Sequence, residues 1–384
     1  MATKGKKILS VLAMDPWIIA LIMLSGLSYF WSVAPAITFA SFRSLIVQYV
    51  LAGYLVTTYS CRQIITFTSR VLCATGILSL LYLFFLPHVA IRNADGHLGG
   101  SWRGIFLHQS VLAGTMALAI ISLVYSYLLQ PQRHQHISKL AAALVFGICF
   151  YLLIFCGAKT AVIAFLASFS IVPFFFLQKI RGMKTRNIVF VGLIYLFIIG
   201  IPLLYSMQEL IVVELLGKSP TLSGRSYLWD YLFSKILENP FGYGLNAFWQ
   251  NSELVRESVL RTGGYSYGNS HSNYFDLLLG IGFPGAALLA VCLVTVISRT
   301  VTLAFKHQRL EFRWALQILI CLLIASYSDV FIGFLASRTV GWFLFCIISL
   351  TSSIELKRIQ AQNARPTFGA DAYTLKTRHS GTYG

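Results

Sequence analysis

The chain has 384 residues, of which 57% are hydrophobic and only 11% charged. Repeated apolar runs long enough to cross a hydrocarbon core exclude a soluble domain, which cannot hide so much apolar surface, and a β-barrel, which would show short alternating segments. The net charge of +17 does not point to nucleic acid, because the cations are distributed between apolar runs in the pattern that sets membrane orientation.

The expected fold is all-α, a polytopic integral membrane protein of about 10 (10–12) transmembrane helices with one long extracytoplasmic loop containing short amphipathic helices. Ten spans are read at roughly 11–32, 44–60, 71–87, 109–130, 140–156, 160–177, 188–206, 274–297, 314–333 and 336–353. Lys4, Lys6 and Lys7 precede a first run that lacks an A-x-A exit, so this run is expected to remain as an anchor. With the N-terminus inside, twenty of the 30 Lys and Arg fall in inside segments. From that bias both termini are expected in the cytoplasm and the long loop on the far side of the membrane, which is periplasmic if the source is a Gram-negative bacterium. The expected divisions are residues 1–206 with about seven spans, the loop at 207–273, three spans in 274–353, and a disordered cytoplasmic tail at 354–384. The seven Cys lie in spans or at their ends, and no CxxC or His/Cys cluster suggests a disulfide or a metal.

The loop, from about Gln208 to Asn273, is too aromatic to look disordered, and loops this long are usually functional. Apolar residues at 227, 228, 231, 232, 236 and 237 predict an amphipathic helix over Leu222–Leu237. Ser223 would cap it and Asn239-Pro240 would stop it. Gly242 and Gly244 suit a turn with unusual backbone angles. Asn251–Leu260 reads as a second short helix, and Gly263–Tyr267 as an aromatic hairpin or lid.

Four cations belong to the outer face: Arg103 in G-S-W-R-G-I-F, Lys159 in C-G-A-K-T-A, Arg225 in the loop helix and Arg338 at the mouth of the last span. Taken singly, each is explained by snorkelling to headgroup phosphates. Together they suit a lipid-linked diphosphate, with Arg as a bidentate fork and Lys as a point charge. His271, in N-S-H-S-N just before a span, is the residue type usually employed as a general base near neutrality; the plainer reading is an interfacial histidine in a loop hydrogen bond. Asn273 would fix its tautomer or cap the next helix. Asp276 and Asp329 face either a polar cavity or a structural partner. Asp230, Glu238, Glu253 and Glu257 are read as surface ion pairs in preference to a glycosidase pair, which needs a defined separation. Trp229, Tyr231, Tyr243, Phe248, Trp249, Tyr265 and Tyr267 either stack on sugars or form an interfacial belt.

In order and spacing, these pieces resemble the O-antigen ligase and Wzy-type polymerase family, and within it the exopolysaccharide-production polymerases. The resemblance runs from W-S-V-A-P-A-I-T (Trp31 to Thr38) through W-R-G-I-F-L-H-Q-S-V-L-A and C-G-A-K-T-A. It is strongest in G-R-S-Y-L-W, N-P-F-G-Y-G-L-N-A-F-W and H-S-N-Y-F-D-L-L-L-G-I-G-F-P-G. The family commonly has His followed directly by Asn, whereas Ser272 stands here between His271 and Asn273.

The resemblance implies a metal-independent glycosyltransferase without cofactor, acting on undecaprenyl-diphosphate-linked saccharides and a saccharide or lipid acceptor. Lys159 and Arg225 would neutralise the diphosphate, with Arg103 and Arg338 as weaker contributors. His271 would orient or deprotonate the acceptor hydroxyl. Trp229, Tyr243 and Asn273 are expected on the substrate. A chain-length regulator and a flippase would be its protein partners. A ligase transferring glycan to lipid A–core is the alternative within the class. A transporter is a different class, but it would often show inverted repeats, which are absent from this sequence.

Overall fold

The computed structural model describes residues 2–91, 100–130, 135–177, 225–261, 268–328 and 340–364. Among these the chain is helical, with no strand and one isolated antiparallel bridge between Ile91 and Trp102. The principal helices are α1 (Ala2–Leu12), α2 (Pro16–Leu27), α3 (Pro35–Thr58), α4 (Cys61–Phe85), α5 (Gln109–Leu128) and α6 (Gln135–Phe155). They continue with α7 (Lys159–Ser168), α8 (Arg225–Glu238), α9 (Ser252–Arg261), α10 (Asn273–Val301), α11 (Leu310–Ser328) and α12 (Val340–Asn363).

Six of the described helices are long and apolar enough to cross a membrane. A seventh crossing results if Lys4–Leu12 and Pro16–Trp31, bent by 86°, form one broken span. The expected first span at 11–32 is therefore interrupted at Ala13–Asp15, where Pro16 opens a new helix. The expected pair at 140–156 and 160–177 is present as shorter apolar helices, Lys139–Phe155 and Lys159–Ile171. The span expected at 188–206 lies outside the described residues.

Helix ends differ from the apolar windows for a physical reason. An apolar run marks hydrocarbon depth, whereas a helix continues until a cap ends it. Helix α4 starts ten residues before the run at 71–87, where Ser60 accepts from the Gln63 N–H and the Gln63 side chain accepts from the Ser60 N–H. Likewise α12 continues to Asn363, through the first ten residues of the expected disordered tail. Glu355 on that extension pairs with Arg309 at 2.6 Å.

Helix α5 is the hub of the bundle. Residues 112–122 are buried on every side, the pattern of a helix enclosed by neighbours rather than facing lipid. It packs against α4, α6, α7 and α11. Elsewhere large apolar side chains such as Val47, Phe67, Phe84 and Phe85 lie on the outer surface, as a lipid-facing bundle requires. At one end of the bundle, Asp15 at the α1–α2 break is buried against Arg299, Ser349 and Ser353. This ties α2 to the end of α10 and to α12. Arg62 and Arg309 meet Glu311 at the same end.

At the other end, the loop is locked into the bundle. The backbone of α10 is broken at Gly282, with φ 64° and ψ −164°, and Pro284 follows. Residues 240–245 lie across this break as a strap. Tyr243 N–H donates to Leu279 O at 2.7 Å, Gly244 N–H to Gly280 O at 2.9 Å, and Phe283 N–H to Pro240 O at 2.9 Å. The opposite side of the strap is held by the α2–α3 connection. Val33 N–H donates to Tyr243 O, Trp31 Nε1 to Phe241 O and Thr38 Oγ1 to Leu245 O, while Leu245 N–H donates to Ser28 Oγ. The expected glycines do adopt left-handed angles, φ 80° at Gly242 and 99° at Gly244. A Cβ on Gly242 would stand 2.6 Å from Gly280 O.

We expect Gly244→Ala and Gly282→Ala each to lower stability by at least about 1–3 kcal/mol, the cost of a non-glycine residue in a strained region. Gly147→Ala, in helical backbone with open space around it, should be neutral or slightly stabilising. Heat unfolding in detergent, followed by intrinsic fluorescence, compares the three.

Candidate active site at the loop end of the bundle

The loop carries a small core of its own. Leu228, Tyr231, Leu232 and Ile236 of α8 pack with Tyr243, Phe248 and Leu279. This is the buried stripe expected for the loop helix, which runs from Arg225 to Glu238 and stops before Asn239-Pro240 as expected. Its apolar residues Tyr227 and Leu237 are exposed. The second loop helix, α9, also forms, at Ser252–Arg261.

The N-S-H-S-N segment is a tight polar turn between α8 and α10. His271 sits in left-handed backbone, φ 56°, a conformation that is uncommon outside glycine and accumulates at functional sites. Its N–H donates to Asn269 Oδ1 at 3.0 Å. Ser270, fully buried, closes the turn by accepting from Ser272 N–H at 3.0 Å and donating to Ser272 O at 2.5 Å. Trp229 Nε1 donates to Ser270 O at 2.8 Å. Asp276 Oδ1 accepts from Ser270 N–H at 3.3 Å and from Trp249 Nε1 at 2.9 Å. The backbone on either side of Ser270 is thus fixed from two directions, and His271 is presented half-buried at the tip. Asn273 is the first residue of α10 and is buried; Ser272 occupies the N-cap position without a side-chain cap bond.

The aromatic residues divide by role. Trp229 stacks on Phe275, with ring centres 5.5 Å apart, and meets Tyr327 edge-on at 5.8 Å. Tyr243 is buried, donates its hydroxyl to Lys235 O at 3.0 Å and abuts Phe248. Tyr231 donates to Leu254 O and Glu257. These rings hold the loop together. Asp276, Trp249 and Asn246 line a cavity of about 10 Å³, room for a single water at most. Asp276 thus has structural partners, Trp249 and Ser270, with only this minute cavity beside it. The sequence had not pointed to Trp249 as its partner, because that pairing closes only when the strap places Trp249 over α10.

Lys159 opens α7 after a turn at Gly157 with φ 83°. The turn lies beneath the stretch that carries Arg103, since Trp102 stacks on Phe155 with ring centres 6.1 Å apart. Arg103 itself donates Nε to Val89 O at 2.7 Å, and its N–H donates to Ala90 O, so it braces the end of the short helix Pro87–Ala90. Helix α11 runs antiparallel to α5: Trp314 Nε1 donates to Ser122 Oγ at 3.1 Å, and the end of α5, where Ser126 meets Thr66 of α4, lies by the start of α11, where Glu311 meets Arg62 of α4. The Lys159 turn, beside Trp102 just before α5, thus lies toward the Tyr327 end of α11. Tyr327 touches Trp229, which holds the His271 turn. Lys159 and His271 are therefore at one end of the bundle. Arg225 begins α8 one turn before Trp229. Arg338, Asp329, Tyr265, Tyr267 and the stretch Gly263–Tyr267 lie outside the described residues.

Of the loop carboxylates, Glu238 and Glu257 share Lys235, at 2.9 and 3.0 Å, as ion pairs; Asp230 and Glu253 are exposed. The Lys235 hydrogen bond holds the Glu257 carboxyl below its ordinary range, and Glu238 and Glu257 raise the Lys235 ammonium.

An all-helical membrane protein with its polar, hydrogen-bonded loop packed on one end of the bundle is the class these features define. Residues 142–290 match the family described as O-antigen ligase. That stretch takes in most of α6, α7, the loop and the broken start of α10, and the chain is similar to that family over this part. No curated protein matches the chain.

The Lys235–Glu257 bridge stabilises the loop fully above the ordinary carboxylate range and is lost as pH falls from there through Glu257's lowered value. Being partly exposed it is screened, so the effect is small. Over that acid window the heat-unfolding midpoint of Glu257→Gln should fall less steeply than that of the wild type.

Proposed function

We propose that the protein is a metal-independent glycosyltransferase that joins undecaprenyl-diphosphate-linked oligosaccharide repeat units at the periplasmic face of a bacterial inner membrane. The observation that carries this reading is the His271 turn, held in left-handed backbone by Trp229, Ser270 and Asp276 at the bundle end that also bears Lys159, within the stretch that matches the O-antigen ligase family.

In this reading the donor's diphosphate rests on Lys159 and Arg225. Preorganised cations stabilise the charge that develops on the leaving diphosphate as the anomeric C–O bond breaks. His271 accepts the proton of the acceptor hydroxyl, whose oxygen forms the new glycosidic bond. Trp229 and Asp276 act through His271 by holding its turn, and are positioning residues. Arg103, engaged with the Pro87–Ala90 helix end, retains its other guanidinium donors for a lipid phosphate. A ligase that transfers finished glycan to lipid A–core uses the same chemistry with a different acceptor.

Single replacement of Lys159, Arg225 or His271 by Ala should lower transfer from a purified lipid-linked donor by about 10²–10³. Donor movement across a vesicle membrane with no new glycosidic bond would refute the enzyme reading. In cells, a deletion strain that accumulates single repeat units supports polymerisation; long lipid-linked chains left unattached support ligation.

The positioning role has its own readout. Asp276→Asn keeps an oxygen for Trp249 and Ser270 and should retain most of kcat, whereas Asp276→Ala should lower kcat with little change in KM. Equal losses in both variants would instead point to a role for the carboxylate charge.

A further inference from the structure

At the end of the bundle away from His271, a cavity of about 580 Å³ lies between α3, α4, α5 and α12. Its α3 and α12 walls are apolar, with Leu55, Phe343, Leu344 and Ile347. The α4 wall is mixed, with Ile64, Phe67, Val71 and Leu72 beside polar side chains. Arg62, Thr66 and Arg70 all line the cavity and, being four residues apart, stack along one helix face.

Arg62 is engaged with Glu311 at 2.8 Å. Arg70, two turns further into the span, is exposed and has no ion pair or side-chain hydrogen bond among the described residues. A guanidinium on a membrane helix at the edge of an apolar cavity calls for an anion. The cavity opens on the lipid-facing surface, since Tyr59, Phe67 and Val71 line it and are exposed.

Its depth fits one leaflet. Along α4 its lining runs from Arg62 to Leu72. That is about 15 Å of helix, about half the thickness of a hydrocarbon core.

We propose that this cavity binds one anionic phospholipid of the leaflet opposite to His271, with its phosphate on Arg70 beside Arg62 and an acyl chain along α3 and α12. The basic mouth favours an anionic headgroup over a zwitterionic one. The apolar walls favour a phospholipid over free phosphate. The lipid would fill the gap between α4 and α12 and so join these two helices.

The test uses the full-length protein, delipidated in mild detergent, with heat unfolding followed on adding phosphatidylglycerol, phosphatidylcholine or inorganic phosphate. Phosphatidylglycerol should raise the wild-type midpoint, and the other two should not. Arg70→Lys should keep most of the shift. Arg70→Ala should lose it, with phosphatidylglycerol affinity lowered about fivefold. Native mass spectrometry should find one retained phosphatidylglycerol in the wild type. Val71→Trp, on an exposed wall position, narrows the cavity without touching a cation and should also weaken the response. An equal response to phosphatidylcholine, a response to inorganic phosphate alone, or a full shift in both Arg70→Ala and Val71→Trp would overturn the proposal.

Discussion

The fold depends on one exchange of hydrogen bonds. Helix α10 breaks at Gly282, and the carbonyls of Leu279 and Gly280 that the break frees accept from Tyr243 and Gly244 of the strap. In a membrane protein a helix can open only where something replaces its lost backbone bonds. Here the loop supplies them, so the broken helix and the strap exist only together. Everything at the loop end follows from this. The strap fixes where α8 and Phe248–Gln250 lie; these place Trp229 and Trp249, and those two indoles hold the backbone of Ser270 and the side chain of Asp276. His271 owes its orientation to a chain of contacts that begins at a glycine in a span.

The two ends of the bundle are built differently. At the end where α10 finishes, carboxylates are neutralised by arginines, as in Asp15 with Arg299 and Glu311 with Arg62 and Arg309. Breaking one partner of such a buried pair leaves an uncompensated charge, which is costly. At the loop end the described polar groups are joined mainly through neutral backbone and hydroxyl contacts, and Lys159 and His271 project from short turns.

Much of this was legible in the sequence. Apolar runs located the six described helices long enough to cross a membrane, and the 3.6-residue rhythm located α8 and its stop before Asn239. The glycines of N-P-F-G-Y-G announced left-handed backbone, because no other residue adopts it without strain. The break between α1 and α2 and the one in α10 were harder to see. Both fall inside apolar stretches, and hydropathy is blind to a backbone reversal that is satisfied by another part of the chain. G-I-G-F-P within the span was the available signal, since Gly and Pro are the usual sites of a sharp helix break. Tyr243 reads in the sequence like a sugar-stacking ring, but it is a core residue of the loop, because its hydroxyl has a carbonyl to reach.

By itself, the sequence determined the class of the protein and the six helices long and apolar enough to cross a membrane among the described residues, because transfer energies and helical periodicity are local properties. The pairing of residues far apart in the chain was decided only by tertiary structure. Val33 meets Tyr243, Trp249 meets Asp276, and Arg62 meets Glu311, each across a separation that no local pattern records. The site is of this second kind. The sequence names His271, but only a broken helix, a strap and two indoles fix the turn that carries it.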